Sequence, residues 1–283
     1  MSSPTWIGSD DYLPQRQPKG MDWVRIARRG IPGVLVIAVC LILLLLVRLI
    51  ERPLFGQRRP VTPFITCFVC RSVIWLIGFR YEVKGQPMKH PGAVVANHAS
   101  WLDIFTLNAP QQIYFVSKSE VAGWPGIGIL AKATGTVFIA RRRKEAKRQQ
   151  QLFVDRLGAG HKLLFFPEGT STDSNRVLPF KTTLFEAFFN EALRDKSYVQ
   201  PITVNYHAPE GQDPRYYGWW GDMELVPNVF HILSTPKQGK IEVVFHTPAP
   251  VSGFENRKVL AQHLESEVRG THISTKTTKI PAK

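Results

Sequence analysis

His98 stands in a short polar loop, Asn97-His98-Ala99-Ser100, directly after the apolar run 93–96, and Asp103 follows it by five residues. Imidazole is the side chain best suited to take a proton near neutral pH. A nearby carboxylate can fix its tautomer and stabilise its charged form. A second apolar run, 163–166, ends in Pro167-Glu168-Gly169-Thr170. The sequence has no Gly-x-Ser-x-Gly elbow, so it offers no serine of that type as a nucleophile.

The elements that must position these loops are legible in part. Run 93–96 is short, apolar and preceded by Gly92, as a buried strand would be. Ser100 and Asp103 have capping-box spacing, which predicts a helix over 100–108 with Ser100 as its N-cap. Asp103 would then lie in the first turn, its carboxylate directed back toward His98. The plainer alternative is that Asp103 only caps the helix and His98 is an ordinary loop histidine. Past residue 80 the pattern alternates. Strands are expected at 93–96, 113–117, 136–140, 162–166, 199–205 and 240–246, and helices at 100–108, 144–157, 182–193 and 255–269. This is an α/β domain with a mixed, mostly parallel sheet flanked by helices. Ligand sites in open α/β sheets gather at the C-terminal ends of strands, so the two polar loops can face one cleft.

Four blocks occur in order: Asn97-His98 with Asp103, then Phe138-Ile139-Ala140-Arg141, then Phe166-Pro167-Glu168-Gly169-Thr170, then Gln200-Pro201-Ile202. Over about 81–205 this resembles the glycerolipid acyltransferase family, which includes 1-acylglycerol-3-phosphate acyltransferases. The resemblance implies that His98 is the general base that deprotonates an acceptor hydroxyl and that Asp103 orients and supports it. The hydroxyl then attacks an acyl thioester of acyl-carrier protein or coenzyme A, a co-substrate, with no cofactor. General-base catalysis contributes about 100- to 10,000-fold. Holding both lipids together and stabilising the oxyanion would supply the rest. By the same resemblance Asn97, Arg141, Glu168, Gly169, Thr170 and Ser171 belong to the substrate site.

One departure from the family pattern bears on the acceptor. Phosphate-using members follow Glu-Gly-Thr with arginines, whereas this chain has Ser171-Thr172-Asp173. Arginine is the natural bidentate partner of phosphate, so its loss argues against a glycerol-phosphate head, although Arg141, Arg176 and Lys181 could compensate. The Glu-Gly-Thr-Ser-x-Asp pattern resembles the lyso-ornithine lipid O-acyltransferase branch, whose acceptor carries an ammonium and a carboxylate. On that reading Asp173 meets the ammonium and Arg141 or Arg176 the carboxylate. The alternative is that Asp173 is a solvated turn residue.

Residues 31–47 form an uncharged run of 17 residues, about 26 Å as a helix and just short of a hydrocarbon core. Basic residues flank it on both sides, which gives no orientation bias, and a single crossing or a shallow insertion both fit. Stretch 61–79 is a second apolar helix, interrupted by Arg71. Together they resemble the two-helix membrane element of the family. The expected organisation is a basic segment 1–30, a membrane-anchoring region 31–80, an acyltransferase domain 81–270 and a disordered tail 271–283. The expected location is the inner membrane, with the site on the cytoplasmic face.

The formal charge is +14, with its densest cluster at Arg141-Arg142-Arg143-Lys144 and Lys147-Arg148. Anionic lipids, coenzyme A phosphates or an acidic carrier protein fit such a cluster better than nucleic acid. Cys67 and Cys70 have redox-motif spacing but lie in an apolar helix, as lipid-facing or packed thiols, and no metal site is expected. Leu184, Phe185, Phe188 and Phe189 make a core face or an acyl-tunnel wall. The aromatic loop 215–223 would dock the membrane or cover the acceptor. Two other classes remain, a thioesterase using the same pair and a non-catalytic basic membrane protein.

Overall fold

The structure is a computed structural model that describes residues 6, 8, 12–140 and 146–274. Its strands are β1 (Arg80–Lys84), β2 (Gly92–Ala96), β3 (Tyr114–Lys118), β4 (Val137–Ile139), β5 (Leu163–Phe165), β6 (Tyr198–His207), β7 (Lys240–Phe245) and β8 (Ala249–Pro250). Its helices are α1 (Met21–Phe55), α2 (Thr62–Ile77), α3 (Asp103–Asn108), α4 (Ile127–Thr134), α5 (Ala146–Gly158), α6 (Glu191–Arg194), α7 (Leu225–Ser234) and α8 (Arg257–Thr271).

The strands form one sheet in the order β1-β7-β6-β2-β5-β3-β4, with β8 pairing β6. β6, β2, β5, β3 and β4 are mutually parallel, while β7 runs antiparallel to β6 and carries β1 parallel to itself. The expected mixed, mostly parallel sheet is therefore present. β2 is central and every residue of it is buried, which is why its sequence is a continuous apolar run. Gly92 opens it at φ 142°, and a Cβ there would collide with the Tyr198 backbone of β6. Pro201 sits inside a central strand, where its missing N–H would ordinarily break the ladder. It falls in the gap between the β8 pairing at Tyr198–Val199 and the β7 pairing that begins at Ile202.

Several expected elements shift. The 182–193 helix is a 3-10 turn, Leu184–Phe189, followed by α6, because Asn190 adopts an extended conformation and caps Ala192 N with its side chain. α4 and α7 were not expected from the sequence. α7 carries Pro227 in its first turn, a position that tolerates proline although the residue reads as a breaker. Thr271 is the last residue of α8, and Ile273 N donates to Asn205 Oδ1, so the chain is anchored on β6 through this point. The rest of the expected tail lies outside the described residues.

α1 is 35 residues long, about 52 Å, and starts inside the segment read as polar. One stripe of it packs on the domain. Arg29 is buried and donates to Leu233 O, Thr235 O and Pro236 O, closing the C-terminal end of α7. At the other end buried Glu51 accepts from Val61 N, Thr62 N and Thr62 Oγ1. That carboxylate, strange in an apolar helix, therefore caps α2 across the elbow. Cys67 and Cys70 are buried free thiols, turned away from solvent. The opposite stripe, including Leu35, Ile42, Leu43, Leu46 and Ile50, is exposed along with Phe64, Phe68 and Trp75 of α2.

A continuous apolar face of this length on a water-soluble surface would aggregate, and a lipid surface is the medium that covers it. The double substitution Leu43→Glu with Leu46→Glu is expected to move most of the protein from the membrane pellet to the supernatant. A charge on this face costs up to about 2.5–3.5 kcal/mol, the value at mid-bilayer depth, and less nearer the surface. Differential centrifugation of cell lysates would read it, and unchanged pelleting would sink the membrane role of this face.

Candidate active site

β2 and β5 are parallel neighbours, with Val95 beside Phe165. The loops that leave their C-terminal ends therefore emerge side by side. The β2 loop carries Asn97 and His98, and the β5 loop carries Glu168 and Gly169. Gly169 has φ 75°, a left-handed turn that lets the backbone fold back over Phe166, whose carbonyl accepts from Gly169 N.

His98 Nδ1 lies 2.6 Å from Asp103 Oδ2. The same oxygen accepts from Ala99 N at 2.9 Å and Ser100 N at 3.1 Å, while Oδ1 accepts from Tyr206 Oη at 2.6 Å. Asp103 is fully buried, and these four donors saturate a carboxylate that water does not reach. With Nδ1–H donated to Asp103, the Nε2 lone pair of His98 is left for the cleft. The imidazole stacks on Phe166 with centroids 4.0 Å apart and planes at 11°, which fixes the ring.

The structure moves the helix start. α3 begins at Asp103, not Ser100, and Ser100 Oγ makes only a 3.4 Å contact to Leu102 N. Asp103 caps nothing forward, because its carboxylate is turned back onto the His98 loop. Tyr206 is the residue that sequence reasoning missed. Its signal was a tyrosine in a buried strand, whose hydroxyl must find a partner. Burial, then the Asp103 charge, pushes its pKa well up, so it stays a donor. Thr106 Oγ1 shares that hydroxyl at 3.0 Å.

Glu168 is 1% exposed, and each oxygen takes one backbone donor: His98 N at 2.7 Å and Leu178 N at 2.7 Å. Burial pushes its pKa up to about 8 against the pull of those two N–H groups. Thr172 N and Oγ1 both donate to His98 O. The β5 loop thus holds the histidine loop by its backbone on both sides, and Glu168 faces the protein, not the cleft. Asn97 is likewise internal. Its amide accepts from Val204 N and donates to Val204 O, clamping β2 to β6.

Asp173 and Arg176 are brought together, with one another as partners. Asp173 Oδ2 lies 2.8 Å from Arg176 Nη2, and Oδ1 lies 3.1 Å from Arg176 Nε. Asp173 is buried, Ser174 beside it has φ 69°, and neither Asp173 nor Arg176 lines the cleft. The two residues expected to meet the ammonium and, with Arg141 as the alternative, the carboxylate of an acceptor are thus paired with one another. Gln200 ties Met88 N, Gln86 O and His246 O together, a structural role for the fourth block. Arg141 and most of the basic cluster lie outside the described residues.

The cleft beside His98 has a volume of about 890 Å³. Its inner wall is apolar, with Val116, Val121, Ile139, Phe165, Phe166 and Leu184, and it suits a fatty acyl chain. Phe185 and Phe188 turn into the core, so only Leu184 of that face reaches the cleft. The outer rim is polar and carries both signs, Lys118 and Lys181 with Asp222 and Glu224, beside Thr170 and Ser171. The aromatic loop supplies this rim, not a membrane patch: Trp220 is buried, stacked by Tyr12 and tilted against Trp6. Trp6 N donates to Thr170 Oγ1, and Tyr12 Oη accepts from Asp222 N. Trp6 and Tyr12 therefore brace the rim.

A histidine held by a buried carboxylate at the mouth of an apolar cleft has the geometry to take a proton from a hydroxyl. The sequence model of the family described as Acyltransferase matches residues 80–205. Lyso-ornithine lipid O-acyltransferase of Rhodobacter capsulatus is 57% identical over 95% of this chain and 97% of its own length. The 1-acyl-sn-glycerol-3-phosphate acyltransferase of Neisseria meningitidis serogroup B is 30% identical over 70% of this chain and 77% of its own. Among solved structures, the 1-acyl-sn-glycerophosphate acyltransferase PlsC of Thermotoga maritima shares the fold, with a TM-score of 0.56 at 19% identity over 90% of this chain and 100% of its own. The chain belongs to the acyltransferase family. It is an O-acyltransferase of lipid synthesis that works on lysolipid acceptors.

Proposed function

We propose that the protein acylates lyso-ornithine lipid, taking the acyl group from a thioester of acyl-carrier protein or coenzyme A. The observation that carries this reading is the mixed-charge rim of the cleft, and the 57% identity to a lyso-ornithine lipid O-acyltransferase supports it. A phosphate monoester calls for converging cations. Here the arginine of the Glu-Gly-Thr loop is taken up by Asp173, and Asp222 and Glu224 stand on the rim. Those carboxylates suit the ornithine ammonium, and Lys181 suits its carboxylate.

His98 Nε2 takes the proton of the lipid hydroxyl. The alkoxide-like oxygen attacks the thioester carbonyl, the tetrahedral intermediate collapses, and the thiolate leaves with the proton that His98 returns. The acyl chain lies along the apolar wall, and Asp103 holds the imidazolium while it exists. Bound in this way, the enzyme sits on the cytoplasmic face of the inner membrane. α1 packs on α7 through Arg29 and meets α2 at Glu51, so its exposed stripe enters the bilayer as a shallow slab.

The double variant Asp222→Asn with Glu224→Gln is expected to raise KM for lyso-ornithine lipid about tenfold, roughly one charge-assisted contact, while lysophosphatidate turnover stays level or improves. Assays with each acceptor and a labelled acyl thioester read this. Equal loss on both acceptors, or preference for lysophosphatidate in the wild type, would return the enzyme to phosphatidate synthesis.

A further inference from the structure

A second cavity, about 950 Å³, opens at the N-terminal ends of the central strands, the opposite end of β2 from His98. It lies between the α1–α2 elbow and the segments that lead into β2, β3 and β5, and it shares no lining residue with the catalytic cleft. Its described lining contains Arg58, Arg59, Arg71, Lys89 and Lys162 and no aspartate or glutamate. Such a concentration of one sign in a concave site raises the local anion concentration.

Two buried side chains in it lack partners. Gln111 is 6% exposed, and neither atom of its amide is hydrogen-bonded. His161 is 4% exposed, and neither ring nitrogen makes a well-formed bond, with only a loose approach to the Gln57 backbone. A buried amide left unmade costs the full desolvation of the group, and native proteins rarely tolerate it without a reason. Burial, with Arg156 and Arg59 close by, pulls the His161 pKa down to about 4, so the ring is a neutral donor. Arg59 and Arg156 both lie over the Tyr114 ring, at 5.9 and 4.7 Å, although each repels the other. Each donates to a backbone carbonyl, Arg59 to Ala133 O and Arg156 to Gly135 O, so both cations add positive potential beside the cavity.

The remaining wall identifies what carries the anion. Phe55, Phe64 and Phe68 line the cavity and are exposed, and they continue the apolar stripe of α1. A ligand here has its charge against the N-terminal ends of β2, β3 and β5 and its body against the exposed apolar face.

We propose that this cavity binds the phosphodiester headgroup of an anionic glycerophospholipid, as a non-catalytic lipid that fastens the α1–α2 elbow to the domain. The full chain, purified in neutral detergent, would be titrated with phosphatidylglycerol, phosphatidylcholine or inorganic phosphate and followed by native mass spectrometry and thermal unfolding. One phosphatidylglycerol should be retained per chain and raise Tm, with phosphatidylcholine at least tenfold weaker. Arg58→Ala with Lys89→Ala, both exposed, should weaken phosphatidylglycerol about tenfold while acyl transfer to the lysolipid acceptor in detergent micelles without phosphatidylglycerol stays within twofold. Gln111→Leu should raise the lipid-free Tm, because it removes an unpaired amide, and yet weaken the lipid. Unchanged retention in these variants, or equal retention of phosphatidylcholine, would overturn the site. Inorganic phosphate stabilising as well as the lipid at equal concentration would overturn the lipid as its occupant. The acceptor assignment stands or falls separately, since lipid retention and Tm do not depend on it.

Discussion

His98→Ala is expected to lower kcat about 10²- to 10⁴-fold, the range general-base catalysis supplies, with little change in Tm because the ring is partly exposed and its loop is held by its backbone. Asp103→Asn is expected to lose at least 10²-fold and to melt lower. An asparagine can keep its oxygen toward His98, Ala99 and Ser100, but the charge that stabilises the imidazolium is gone. Turned the other way, its amide donates to Nδ1 and selects the tautomer with Nε2 protonated, which cannot act as a base. Tyr206→Phe should cost about 1–3 kcal/mol of stability, since Asp103 Oδ1 loses its donor inside the core, with kcat down about tenfold. Steady-state kinetics of acyl transfer beside thermal melts would separate these effects. Activity of His98→Ala above a tenth of wild type would remove His98 as the base. Release of free fatty acid without an acceptor product would favour a thioesterase.

Glu168→Gln tests a different arrangement. Both Glu168 oxygens accept backbone N–H groups, and an amide can accept with only one side. The NH₂ would then confront either His98 N or Leu178 N, at about 1–3 kcal/mol, and displace the loop carrying the base. Activity should fall about 10- to 100-fold through kcat, with KM for both lipids nearly level. The pH dependence follows from linkage. The folded pKa of about 8 lies above the unfolded value near 4.3. The folded state therefore binds the extra proton between those values, and its contribution, full below about pH 4, is lost as pH rises through about 8. The glutamine variant does not titrate. The stability gap between wild type and variant should therefore shrink from pH 5 to pH 9 in denaturant titrations. A gap that widened with pH would show that the two N–H donors, not burial, dominate this carboxyl.

The sequence carried the fold because its signals are local and periodic. The fully apolar run in β2 announces a strand buried on both faces, and the unbroken apolar stretch in α1 announces a helix that water alone does not cover. β1, α4 and α7 escaped notice because they are short, and α7 hides behind Pro227 in its first turn. The chemistry of His98 and Asp103 was legible from residue type and spacing. The way Asp103 reaches the ring was not, because the helix starts three residues later than its cap-like sequence suggests.

What the sequence determined by itself was therefore the family, the alternating α/β pattern, the membrane-seeking N-terminal region and the pair of residues able to move a proton. Only the tertiary structure decided the partners of the polar side chains. It joined Tyr206 to Asp103 across 103 residues, turned Glu168 and Asn97 inward onto backbone, paired Asp173 with Arg176 and placed Asp222 and Glu224 at the rim. The reason is physical. Apolar periodicity follows from the backbone repeat of one element, whereas a buried polar group is satisfied by whichever donor the packing of distant strands brings within 3 Å.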